Sequence, residues 1–133
     1  MRHLPALLAI AALVACQAAP EPRTDKYSTG GDAKDSPCTR VISSIGYAEL
    51  LLLPRGQEDR QNFEDAVLGR IAETRGIAAE FGGRLPESIK AAAGELEQAA
   101  SGLARADVPR ERQVELLKRY RAATEEIKKN CRT

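Results

Sequence analysis

From Cys38 onward, apolar positions recur every three or four residues, the interval that lines up one face of an α-helix. Ser36-Pro37 reads as an N-cap followed by proline at the first helical position. Val41, Ile42, Ile45, Ala48 and Leu52 then share a face, and Pro54 with Gly56 stops the run. A second helix is predicted from about Glu58 to Phe81, with Phe63, Val67, Ile71, Thr74, Ala78 and Phe81 on one side. Gly82-Gly83 is the expected left-handed terminator. Pro86 opens a third helix, which places Ile89, Ala92, Ala93, Leu96, Ala100 and Leu103 together. Pro109, preceded by Asp107, opens a fourth, in which Val114, Leu117, Tyr120, Ala123, Ile127 and Cys131 recur. No stretch alternates with the two-residue period of a strand.

Four amphipathic helices with connections of about three to five residues favour antiparallel neighbours. The predicted fold is therefore all-α, an up-down-up-down four-helix bundle. The alternative is a three-helix bundle with the first segment packed irregularly.

The chain before Cys38 has a different character. Met1, Arg2 and His3 carry one fixed positive charge, and Leu4 to Ala15 is uncharged and almost wholly apolar. That run is shorter than the roughly 20 residues a spanning helix needs, so it suits an export signal rather than a membrane span. It ends in Leu13-Val14-Ala15-Cys16, which resembles the lipobox of bacterial lipoproteins. The resemblance covers only the first sixteen residues. It implies cleavage between Ala15 and Cys16, diacylation of the Cys16 thiol with palmitate-type chains and, often, acylation of the new amino group. One chain alone anchors only marginally, at about 0.8 kcal/mol per buried methylene, so two or three are needed for stable attachment. By the same resemblance, Gln17 rather than aspartate after the cysteine permits outer-membrane sorting in a cell that has such a membrane. The expected location is the cell envelope, on the extracytoplasmic side of the cytoplasmic membrane or in the outer membrane.

Processing at Cys16 simplifies the rest. Residues 17–37 hold almost no large apolar side chain and are rich in Pro, Gly, Ser, Thr, Asp and Lys. Such a segment cannot offset its ordering entropy by burial and is expected to be a flexible tether. Its mean reach is about 25 Å on the square-root law for flexible chains. The expected organisation is a signal peptide over 1–15, a lipid-anchored tether over 16–37 and a helical domain over 38–133. Two of the three cysteines, Cys38 and Cys131, remain after acylation, and outside the cytoplasm they are expected to oxidise. In an up-down-up-down bundle the start of helix 1 and the end of helix 4 share one end, so topology and pairing support each other. An intermolecular bridge and two free thiols are the alternatives.

Removal of residues 1–15 takes Arg2, His3 and Met1, leaving acidic and basic residues equal in number and no His, Met or Trp. A neutral domain argues against nucleic-acid binding and offers no broad attraction to anionic lipid. Without histidine there is no Ser-His or Cys-His nucleophile, no Glu-x-x-His di-metal site and no His-ligated haem. No catalytic residue, metal site or cofactor is expected. The carboxylates at Glu64-Asp65, Glu95, Glu97 and Glu125-Glu126 read as solvated helix faces. So do the basic residues of helix 4, Arg110, Arg112, Lys118, Arg119 and Arg121, with Lys128, Lys129 and Arg132 at its end.

One strip stands out as a possible partner surface: Leu68, Ala72, Gly76 and Ala79, roughly opposite the inward face of helix 2. The distal turns, Pro54–Glu58 and Ala106–Arg110, are the other place where a partner is expected. Together these features suggest a non-enzymatic, lipid-anchored interaction or structural module of the envelope. A small-ligand carrier binding between the helices and an accessory or inhibitor subunit of an envelope enzyme are the rival readings.

Overall fold

The computed structural model describes residues 34–131. The signal peptide, Cys16, residues 16–33 of the expected tether and Arg132 lie outside the described residues. Among the described residues there are four α-helices and no strand: α1 (Pro37–Glu49), α2 (Asp65–Phe81), α3 (Glu87–Leu103) and α4 (Arg110–Asn130). Ser36 caps α1 as its sequence predicts, its hydroxyl accepting from the Thr39 amide at 3.1 Å with Pro37 in the first turn. Pro86 and Pro109 likewise stand immediately before α3 and α4.

The helices pack in chain order as an up-down-up-down bundle, with α1 against α2, α2 against α3 and α3 against α4. Val41, Ile45, Ile71, Ile89, Leu96, Leu117, Tyr120 and Ile127 fill the centre and are essentially inaccessible. Burial pushes the Tyr120 hydroxyl up to about 12, against the neighbouring Thr74 hydroxyl, so it is a neutral core group. The Thr74 hydroxyl lies 3.1 Å from the Ser44 carbonyl, which joins α2 to α1 through the core. Cys38 and Cys131 form a disulfide with a Cα–Cα distance of 5.4 Å, closing the bundle at the end where both chain termini of the domain meet.

Two elements differ from the sequence expectation. Gly82-Gly83 does not form a left-handed terminator: Gly82 has φ −51°, and a 3-10 turn runs over Gly82–Arg84. The tighter turn carries Leu85 into the core, where it is buried ahead of Pro86. The second difference is larger. Helix 2 begins at Asp65 rather than near Glu58, α1 ends at Glu49, and the chain from Leu50 to Glu64 is a non-helical connection with a single 3-10 turn at Glu58–Arg60. A 13-residue α1 spans about 20 Å and a 21-residue α4 about 31 Å. The connection makes up the difference, running on down α4 where α1 stops.

Two stability predictions follow from this packing. Replacing both Cys38 and Cys131 by serine should lower the unfolding free energy by about 4–5 kcal/mol on the chain-entropy model, read from urea unfolding. The two glycine sites separate space from propensity. A Cβ at Gly76 would meet nothing within 4 Å, whereas one at Gly102 would sit 2.9 Å from a methyl of the buried Leu116. Gly76→Ala should therefore stabilise by about 0.5–1 kcal/mol. Gly102→Ala should show no such gain in the same titration.

Candidate functional site: a locked loop on the last helix

Loops as long as Leu50–Glu64 without regular structure are uncommon in compact domains, and those that are ordered are commonly functional. Its backbone cannot use a helix ladder, so its polar groups must find other partners. The Leu51 and Leu52 amides first continue the last turn of α1, bonding the Ala48 and Glu49 carbonyls. Pro54 then begins a tight turn, with Gly56 at φ +83° in the position that requires it and the Gln57 amide returning to the Pro54 carbonyl.

Gln61, almost fully buried, acts as the loop's internal brace. Its Oε1 accepts from the Leu53 amide at 2.7 Å, while its Nε2 donates to the carbonyls of Leu51 and Asn62 at 3.3 and 3.0 Å. One side chain thus does for this stretch what a neighbouring strand would otherwise do.

The lock to α4 is a buried ion pair. Arg121 Nε lies 3.2 Å from Glu58 Oε1, with side chains only 11 % and 7 % exposed, and Arg121 Nη2 donates to the Leu53 carbonyl. Burial pushes the Glu58 carboxyl up, but the amides of Glu58 and Gly56, together with the positive charges of Arg121 and Lys118, outweigh it and hold it below its ordinary value. Above and below this pair the loop is tied again. Arg55 reaches the Arg121 carbonyl and pairs with Glu125 at 2.7 Å. Arg110 donates to the Asp59 carbonyl at 2.7 Å and lies over the Phe63 ring.

Read along the chain, Cys38, Glu49, Arg55, Glu58 and Asp59 meet Cys131, Lys128, Glu125, Arg121 and Arg110 in turn. The whole first leg is antiparallel to α4: the Pro54–Glu58 turn lies against Glu125 and Arg121, partway along that helix and not at its distal end, and Arg110 of the Ala106–Arg110 turn reaches back to Asp59. In the Ala106–Arg110 turn Asp107 adopts a left-handed φ of 58°.

Arg121 is the principal correction to the expected solvated basic face of helix 4. It is buried because the loop folds over it, whereas Arg112 and Arg119 remain on the surface and pair with Glu115 and Glu95. Within the expected partner strip, Leu68 packs against the core and Ala72 is half-buried, while Gly76 and Ala79 are exposed. The cysteine pair is brought together; Cys16 is outside the described residues. A feature absent from the sequence reading is a cluster of outward apolar side chains, Tyr47, Leu50 and Leu51, where α1 enters the loop. Its only early signal was the unbroken run of leucines from Leu50 to Leu53, too many for one helix face.

Open grooves run along the outside of the α3–α4 pair. One of about 590 Å³ is bordered by Gly102, Arg105, Arg112 and Arg119, and one of about 340 Å³ by Ala92, Glu95, Ala123 and Glu126. No group of three or more His, Cys, Asp or Glu side chains is placed to hold a metal ion among the described residues. None of the described helices is long and apolar enough to cross a membrane.

Removing one member of the buried pair leaves the other charge without its partner. Glu58→Gln and Arg121→Met should each destabilise by about 3 kcal/mol, and Glu58→Leu combined with Arg121→Met should recover much of that loss. Because the folded carboxyl titrates below its unfolded value, its contribution is complete above the ordinary carboxylate range and is lost as pH falls through the folded pKa. Urea unfolding across acidic pH should therefore show wild type and Glu58→Gln converging as the medium becomes more acid.

No family model, curated protein or solved structure matches this chain, so its function is argued from its own sequence and geometry.

Proposed function

We propose that this chain is a lipid-anchored, non-enzymatic protein of the cell envelope whose helical domain is an interaction or structural module. The observation that carries the reading is the locked loop. A buried ion pair and a buried glutamine are costly ways to hold a connection when a short turn would join two helices. They are reasonable where the loop must present a fixed surface to something else, since positioned loops are where binding residues concentrate. The bundle interior, by contrast, is occupied by its own side chains. An accessory or inhibitor subunit of an envelope enzyme would use the same surface.

The lipobox at Leu13–Cys16 supports the anchoring half of the proposal, and the disulfide suits an oxidising compartment. The tether would enter at the disulfided end, beside Cys38. A second reading, a small-ligand carrier, is favoured by one observation, the open groove of about 590 Å³ along the outer side of α3 and α4. That groove would hold a ligand on the outside of the bundle instead of between its helices.

Two measurements test the proposal. In a bacterial host, the wild-type chain should fractionate with membranes and Cys16→Ser should not; equal partitioning would remove the anchor. Photo-crosslinkers placed at Gln57 and Asp107 in intact cells should capture one and the same envelope protein, and a crosslinker at Ser88, at the opposite end of α3, should not. Failure to capture from either position, with a defined small molecule retained in native mass spectrometry, would favour the carrier.

A further inference from the structure

Tyr47, Leu50 and Leu51 stand at helical i, i+3 and i+4 spacing, and the amides of Leu50 and Leu51 still bond back into α1. Their side chains therefore lie side by side, 56 %, 78 % and 41 % exposed. They are not failed core residues. The same leucine run sends Leu52 against the core, and the bundle is filled without the outward pair. Clustered apolar exposure of this kind, unlike a lone surface leucine, marks a contact surface.

The rim of the cluster says what it contacts. The Arg70 guanidinium lies 5.9 Å from the centre of the Tyr47 ring. Both neighbouring carboxylates are neutralised: Glu73 by Arg70 and Glu49 by Lys128, each at 2.7 Å. Leucines flanked by a tyrosine and an arginine, with acidic groups paired off, match the boundary between acyl chains and headgroups. Reach agrees. Leu50 is about 18 Å along the helix axis from Cys38. The expected tether, with a mean reach of about 25 Å on the square-root law, covers that distance.

On the reading that the chain is anchored at Cys16, we propose that Tyr47, Leu50 and Leu51 form a lipid-contact patch that inserts at the interface of the bilayer holding the anchor. The patch is small, roughly a few hundred Å², and a specific protein interface buries about 1,200–2,000 Å² in total. A second copy of the chain is thus poorly served by it. For a tethered domain the acyl chains already supply attachment, and the patch needs only to orient. The bundle then rests on the outer face of α1 instead of standing upright on its disulfided end. This turns α3, diagonally opposite α1, away from the membrane. Because the mature chain is neutral, insertion is apolar and insensitive to salt.

The sequence contains no tryptophan, so Tyr47→Trp creates a single fluorescent reporter at the patch. The full chain, purified from a bacterial host and reconstituted in phosphatidylcholine vesicles with brominated acyl chains, should show quenched, blue-shifted emission. Raised salt should leave the quenching unchanged. Adding Leu50→Ser and Leu51→Ser to Tyr47→Trp should abolish the quenching with circular dichroism unaltered. If that variant fails to fold, quenching of Tyr47→Trp alone decides. Unquenched emission from the folded, vesicle-bound protein would overturn the patch, and a blue shift set by protein density rather than by brominated lipid would assign it to a second copy. Intact mass reports acylation of Cys16 separately. An unacylated chain still quenched by added vesicles would sink the anchor and keep the patch; an acylated chain without quenching would do the reverse.

Discussion

The bundle depends on closing the seam between the first leg of the chain and α4. The other neighbouring helices meet over long apolar faces, whereas α1 is too short to cover α4. Apolar contact alone therefore leaves the lower part of α4 open. The seam is closed at one end by the Cys38–Cys131 disulfide and further down by the Glu58–Arg121 pair. A covalent bond restricts the unfolded chain, while a buried ion pair specifies which segment lies where. Together they set the register of the whole leg from Cys38 to Phe63.

The ion pair also explains why the loop holds its shape without helix or strand. Taking Arg121 and Glu58 out of water is expensive, so each must be met by further polar groups. The Leu53 carbonyl and the Gly56 amide meet them, and both belong to the loop. Gln61 meets the Leu53 amide and the Leu51 and Asn62 carbonyls of the loop backbone. The buried charge and the irregular backbone are thus mutually required: each supplies the partners the other lacks. Salt bridges on the outer faces, such as Arg112–Glu115, carry no comparable constraint because water solvates both partners.

This division of labour separates the surface from the core. The interior is built mainly of Ile, Leu, Val and Ala, with Phe81 and Tyr120 as its aromatic side chains and Gly102 letting Leu116 of α4 come close to α3. The locked loop then provides ordered, non-repetitive surface at one end of the seam, and its entrance carries Tyr47, Leu50 and Leu51 outward.

The helical periods of α3 and α4, the Ser36-Pro37 start of α1 and the inward faces of Val41–Ile45, Val67–Ile71 and Leu117–Ile127 were legible in the sequence because they are local. Each depends on spacing along one helix and on residues that cap or break it. Pairing of the cysteines was legible because topology left them at one end. What lay beyond the sequence was every feature set by contacts distant along the chain. Glu58 and Gln61 look like ordinary helix formers, but α4, some sixty residues later, pairs with Glu58 and buries it, and the loop backbone at Leu51 and Leu53 takes up Gln61. Arg121 sits in a basic stretch that reads as solvated until the loop covers it. The leucine run shows no period of its own, so which leucines face outward was decided by where α1 had to stop. Local spacing determined the helices; the cost of leaving buried polar groups unpaired decided how the first leg was laid against the last.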